Sequence, residues 1–201
     1  GYFVSGKYDQ YQHNKPYAAL IQAMTGFVNY ILGQSPEKLA LWKTKISKAA
    51  GSNGQVLIDL IPALELIIGS QPPVPNLGPA ETQNRINLVF LNLIKTISSK
   101  EHPFVIFTDD LQWADPGSLN LIKLLMNEEE SRYLLIIGAY RDNEVDPAHL
   151  LMMTINDIQT RNLISINKIR LDNLLPEQVN HLIADTLHCS LSYAEGLTEL
   201  V

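Results

Sequence analysis

Phe104-Val105-Ile106-Phe107-Thr108-Asp109-Asp110 is the stretch whose reading decides the fold. Four consecutive apolar residues, all aromatic or β-branched, read as a strand buried on both faces. Strands of that kind belong to parallel sheets covered by helices. Two acids follow at once. In open parallel sheets ligands bind outside the carboxyl ends of the strands, so residues just past a strand are the first place to look for chemistry.

Reading onward, Asp115-Pro116 caps a helix bearing Leu119, Ile122 and Met126. Tyr133 to Tyr140 is a second apolar strand, and Pro147 to Gln159 reads as helix. Leu163 to Leu171 alternates Ile164, Ile166, Ile169 and Leu171 imperfectly, as a last strand, and Pro176 to Leu187 is helical. Reading back, Tyr2-Phe3-Val4 is a short strand ending at Ser5-Gly6. Pro16 suits the first turn of a helix carrying Leu20, Met24, Phe27, Val28 and Ile31, which Gly33 ends. Ser35-Pro36-Glu37 starts another helix, with Leu39, Trp42 and Ile46, that stops near Gly51. Gln55 to Ile68 is apolar but holds Pro62, which predicts two short helices with a break. The proline-rich stretch from Ser70 to Pro79 is a stiff connector; from Ala80 helical spacing returns in Ile86, Val89, Phe90, Leu93, Ile94 and Ile97. Strands alternating with helices predict an α/β fold with a parallel sheet covered on both faces.

The 201 residues suffice for one well-buried domain, and 46% hydrophobic with 18% charged residues is ordinary for a globular chain. The net charge of -6 and the lack of a Lys/Arg run argue against a nucleic-acid surface. Cys189 is the sole cysteine, so no internal disulfide forms, in keeping with a reducing compartment. No apolar run spans a bilayer and no signal peptide is present. Gly1 opens directly into an apolar run, which reads as a chain that begins mid-domain.

Four apolar residues followed by Thr108-Asp109-Asp110 fit the Walker B pattern, in which one acid holds Mg²⁺ through water and the next polarises the attacking water. A strand that merely ends in a turn with two acids reads the same way. The next strand ends in Tyr140-Arg141-Asp142-Asn143-Glu144. Arg141 there either senses a terminal phosphate or forms a surface pair with Asp142 or Glu144. Two adjacent strand ends with suitable polar chemistry favour a site. Gly1, four residues, then Gly6-Lys7 mimics a phosphate-binding loop. Tyr2, Phe3 and Val4 are too bulky and strand-forming for an anion nest, Tyr8 replaces the needed hydroxyl residue, and no helix begins at Lys7. The true loop is expected upstream of this chain. His181 and His188 could share a helix face, but no ligand cluster completes a metal site. Ser118 reads as a first-turn helix residue, Trp113 as packing, and Arg85 as a solvated side chain.

Val105-Ile106-Phe107-Thr108-Asp109-Asp110-Leu111-Gln112-Trp113-Ala114-Asp115 resembles the signature of STAND-class ATPases within the AAA+ superfamily. More closely, the chain looks like the ATPase module of large bacterial signalling proteins, with serine/threonine kinase-like, GAF and histidine-kinase domains around it. Tyr2 to Gln10, Gly51 to Val56, Gln71 to Pro75, Gln83-Asn84-Arg85 and Gly138 to Glu144 carry the match. The resemblance implies a P-loop NTPase three-layer αβα parallel sheet. It would be truncated before the Walker A strand and loop and again before the C-terminal helical lid. Residues 1–188 would form the partial ATPase core and 189–201 the start of the lid. It also implies an ATP- and Mg²⁺-dependent regulatory switch in the cytoplasm. Asp109 would serve Mg²⁺, Asp110 the attacking water, and Arg141 the γ-phosphate side. Expected partners are ATP, neighbouring kinase-like and sensor domains of the same polypeptide, and further copies of the chain, with no nucleic acid and no membrane. ATPase activity is expected of the parent rather than of this piece. The alternatives are a scaffold of the same fold without turnover, or the regulatory segment of a protein kinase.

Overall fold

The computed structural model describes residues 1–11, 15–127, 132–161 and 164–200. Its sheet has three parallel strands: β1 (Tyr2–Lys7), β2 (Phe104–Asp109) and β3 (Leu134–Gly138), in the order β1-β2-β3. The register sets Tyr2 opposite Phe104 and Phe104 opposite Leu134, and Lys7 opposite Asp109. Helices follow between and after the strands. They are α1 (Ala18–Leu32), α2 (Pro36–Ala50), α3 (Gly54–Leu60), α4 (Glu65–Ile68) and α5 (Pro79–Ile97), then α6 (Pro116–Asn127), α7 (Leu150–Thr160), α8 (Pro176–Leu187) and α9 (Leu191–Thr198). The α/β class and the parallel sheet flanked by helices are as the apolar strand of residues 104–107 implied.

Alternation along each strand divides the sheet into two faces. Val4, Phe104 and Ile106 point into the core, where Ala19, Leu20, Ala23, Met24, Phe27, Val28 and Ile31 of α1 recur at helical spacing. Phe27 meets Tyr2, Trp42 and Phe104 edge-on, with ring centroids 5.1, 5.4 and 5.3 Å apart. Val89, Phe90, Leu93, Ile94 and Ile97 of α5 close the same core. Gly6 allows this packing. A Cβ there would lie 1.8 Å from the Ala19 carbonyl oxygen, so only glycine lets α1 approach β1 so closely.

The other face holds Phe3, Leu135 and Ile137, which stay 66%, 54% and 41% exposed. Fully apolar strands predict helices on both faces, yet the described residues bury one face. The apolar residues of the second face are there without a cover.

Several element boundaries have local causes. Tyr17 adopts a left-handed conformation, and its N–H donates to the Asp115 carboxylate at 3.0 Å. Helix α1 therefore starts at Ala18, past Pro16. Pro62 breaks residues 54–68 into α3, a 3-10 turn and α4, as expected. Asp115 caps α6 by accepting the Ser118 N–H at 2.9 Å. Arg85 is not simply solvated: it donates to the Pro75 carbonyl at 2.9 Å and pins the proline-rich connector to α5.

One expectation is overturned. Residues 164–171 contain no strand; Leu163 lies outside the described residues. Ile169 and Leu171 are 86% and 89% exposed, and among the described residues no strand pairs with this stretch. Alternating apolar residues are insufficient without a partner edge.

The chain divides into two compact units, Gly1–Ser165 and Ile166–Val201. The second contains the α8–α9 helical hairpin. His188 ends α8 in a left-handed conformation, and Asn180 donates to the Leu191 carbonyl at 3.1 Å. Ala184 and Ala194 are buried there, while Leu174, Leu182 and Leu187 are more than half exposed. Among the described residues no helix is long and apolar enough to cross a membrane.

Candidate functional site

The carboxyl ends of the three strands are tied together by backbone. Tyr8 N–H donates to the Asp109 carbonyl at 3.1 Å, extending the β1–β2 ladder by one bond. Ala139 N–H donates to the Thr108 carbonyl, and Leu111 N–H to the Ala139 carbonyl, both at 2.8 Å. The turn after β2 and the turn after β3 are thereby fixed against each other. Asp110 itself adopts a left-handed conformation (φ 49°) at the strand end. Asp can adopt it through local hydrogen bonding, and here the Asp110 N–H donates to Asp109 Oδ1 at 2.9 Å.

Asp110, Arg141, Lys7 and Trp113 line a cleft of about 640 Å³, with Tyr8 and Gln22 beside them. Asp110 is nearly buried, its side chain 7% exposed, whereas Asp109 is 39% exposed and joins the group through Lys7. Lys7 Nζ lies 2.8 Å from Asp109 Oδ2 and 2.6 Å from Asp110 Oδ2. Arg141 Nε stands 3.8 Å from Asp110 Oδ1, and its Nη1 pairs with Glu144 Oε1 at 3.0 Å. The Arg141 guanidinium also lies over the Trp113 ring, 5.7 Å from its centroid. Of the two alternatives for Arg141 the local pair with Glu144 forms, and the guanidinium also faces the acidic strand end.

Gln112 is the hidden element. It is buried, and its amide nitrogen donates to Asp110 Oδ1 at 3.3 Å and Glu144 Oε2 at 3.1 Å. Its amide oxygen accepts the Arg141 N–H at 3.4 Å. One side chain thus joins the ends of β2 and β3 with donors and acceptor all used. Sequence reasoning passed over Gln112 and Glu144 as site residues, although both lie in the quoted strings. A buried glutamine among apolar neighbours, two residues after an acid, was the available signal.

The charges perturb one another. Lys7 beside Asp110, helped by Gln112 and Arg141, holds the Asp110 carboxyl below the usual carboxylate range. The hydrogen bonds of Lys7 to Asp109 and Asp110 push its ammonium above the usual lysine range. Behind the cleft, Asp115 accepts from the Ser118 hydroxyl and the Tyr17 N–H, so Ser118 is the first-turn residue expected. Burial, and then the Asp115 charge, push the Tyr17 hydroxyl up to about 12.

Gly6 and Lys7 lie within β1, so they form no loop that could wrap a phosphate. Among the described residues no group of three or more histidine, cysteine and acidic side chains could hold a metal ion. A Mg²⁺ ion needs few protein ligands, since it keeps several waters and binds through one or two carboxylates plus phosphate oxygens. Asp109 Oδ2 and Asp110 Oδ2 fit that demand. They are the two carboxylate oxygens not engaged by backbone or Gln112.

Parallel strands ending in paired acids and a cation over one cleft define an α/β protein that places its chemistry at the sheet's carboxyl edge. The family described as AAA ATPase domain matches residues 1–137, and the chain belongs to it. The family's general chemistry is nucleotide and Mg²⁺ use. The chain is also similar to Hybrid signal transduction histidine kinase G of Dictyostelium discoideum, 30% identical over 262 aligned residues. That match takes in 99% of the chain and 7% of the relative, so the chain spans a small part of the relative's length. No solved structure matches.

Proposed function

We propose that this chain is the acidic half of an ATP-driven regulatory switch of the STAND class, acting within a multidomain signalling protein on neighbouring domains of the same polypeptide. One observation carries the reading: Asp110 and Arg141, from adjacent parallel strands, face one cleft 3.8 Å apart, with Asp109 joined to them through Lys7. ATP with Mg²⁺ supplies the reactive phosphoanhydride and the charge that draws these groups together. In this reading Asp109 holds the ion through water. Asp110, kept ionised by its cationic neighbours, orients the attacking water. Arg141, steadied by Glu144 and Trp113, reads the terminal phosphate as a planar two-pronged donor. The reading requires a glycine-rich phosphate cradle, and among the described residues the ends of β1, β2 and β3 carry no such loop. The relative's description as a signal-transduction histidine kinase supports a place next to kinase and sensor domains.

The test is turnover in the polypeptide that supplies the cradle. Asp110→Asn should lower kcat by about a hundredfold or more, the contribution typical of a positioned base, with ATP affinity nearly kept. Asp109→Asn should weaken Mg²⁺-dependent ATP binding. The 201 residues alone should bind ATP·Mg weakly or not at all in calorimetry. Turnover untouched by both substitutions would overturn the roles given to Asp109 and Asp110, and no turnover at all with an intact cradle would favour a scaffold of the same fold.

A further inference from the structure

Lys7 is no phosphate-loop lysine, yet it makes the tightest polar contacts in the cleft. Each acid has one oxygen engaged inside the protein. Asp109 Oδ1 accepts the Asp110 N–H, and Asp110 Oδ1 accepts the Gln112 amide. Each has its other oxygen, Oδ2, on Lys7 Nζ. The ammonium therefore takes both oxygens that a divalent cation would need. It is well mounted for this. Lys7 is the last residue of β1, in register with Asp109, and its backbone N–H is held by Gln22 Oε1 at 2.9 Å. The strand fixes its Cα while its side chain stays 59% exposed on a flexible four-carbon stem. An almost buried carboxylate such as Asp110 needs a partner when no ion is near, because an uncompensated charge is costly to desolvate.

We propose that Lys7 is the resident counter-ion of the acidic pair: it positions Asp109 and Asp110 and competes with the divalent cation for the same two oxygens. This rests on reading the pair as the cation site. Binding of the ion releases the ammonium into the cleft, towards the space shared with Arg141, so Lys7 couples metal occupancy to the charge that the cleft presents to an anion.

Terbium luminescence on the 201-residue chain tests this, with Tb³⁺ alone as the probe. Trp113 lines the same cleft, as do Tyr8 and Tyr11, and all three rings can sensitise the emission, so Trp113→Phe should reduce it. Lys7→Met and Lys7→Gln should tighten Tb³⁺ binding about fivefold, the scale of an exposed ion pair, and Lys7→Arg should stay near wild type. The gap between Lys7→Met and wild type should narrow as salt rises, since exposed charges are screened. Circular dichroism checks that each variant is folded. Equal or weaker binding in folded Lys7→Met and Lys7→Gln, with Asp109→Asn still abolishing the signal, overturns the role of Lys7 and leaves the acidic pair standing. Emission that Asp109→Asn does not reduce overturns the cation site itself and this proposal with it.

Discussion

Phe104 and Phe3 lie on neighbouring strands of one sheet, and the molecule treats them in opposite ways. Phe104 is fully buried, with the Phe27 ring edge-on to it, while Phe3 is 66% exposed and stacks on the Phe107 ring 6.5 Å away. The first face is where α1 and α5 dock, and its close fit is why Gly6 sits under Ala19. The second face is equally apolar in Phe3, Leu135 and Ile137, yet stays open. The difference teaches that residue type along a strand states what a face can bury, while the packed elements decide what it does bury. The acids and Arg141 lie at the carboxyl edge where these two faces meet. Their geometry depends on strand ends that one packed face holds in place.

The sharpest test of that contrast is truncation on the packed face. Phe104→Ala should cost about 3–5 kcal/mol in denaturant unfolding, the range for deleting a fully buried aromatic ring and leaving a cavity. A loss below about 1 kcal/mol would mean that the packed face is no more committed than the open one.

Titration sharpens the comparison at intermediate scale. Tyr17 belongs to the packed side, 2% exposed and stacked on Phe90 at 6.1 Å. Its hydroxyl is raised from 10.0 to about 12, by burial first and then by the Asp115 charge. The folded state binds this proton more tightly than the unfolded chain does. That stability is fully present below pH 10 and is lost as pH rises towards 12. Its ceiling is about 2–3 kcal/mol, because each tenfold gain in proton affinity is worth about 1.4 kcal/mol. Tyr17→Phe keeps the ring and removes the titration. Unfolding free energies should then match or exceed wild type at pH 8, because the buried Tyr17 hydroxyl has no hydrogen-bond partner among the described residues. Between pH 10 and 12 the variant should lose less stability than wild type. Parallel losses in the two proteins would rule out Tyr17 as the source of the pH dependence.

Much of this was legible in the chain, and the misses share a cause. Apolar runs marked all three strands, Pro62 marked the break between α3 and α4, and Asp115-Pro116 marked the start of α6, because each signal is local. Asp109, Asp110 and Arg141 could be placed at strand ends for the same reason. Lys7 could not be joined to the acids, since its partners are 102 and 103 residues away and only the β1–β2 register brings them together. Gln112 looked unremarkable until the ends of β2 and β3 stood side by side. The strand expected over Leu163–Leu171 failed in the complementary way: alternation supplied a pattern but no partner edge. The start of α1 moved past Pro16 because Tyr17 gives its N–H to Asp115, a contact across 98 residues.

The smallest expected effect lies on the open face, and it breaks the comparison most cleanly. Phe3→Thr replaces an aromatic residue on β1 with a β-branched one, so strand preference is retained. What is lost is one loosely stacked aromatic pair with Phe107 and the third of the Phe3 surface that is covered. Those terms together amount to about 1 kcal/mol or less, against several for Phe104→Ala. Denaturant unfolding should therefore place Phe3→Thr close to wild type. Binding of a dye that reports exposed apolar surface should fall, since Phe3 is more exposed than Leu135 or Ile137 on that face. A loss as large as that of Phe104→Ala would show that the second face is buried in solution. The contrast between the faces would then vanish, and dye binding would separate the cases, because a face already covered has no apolar surface for the substitution to remove.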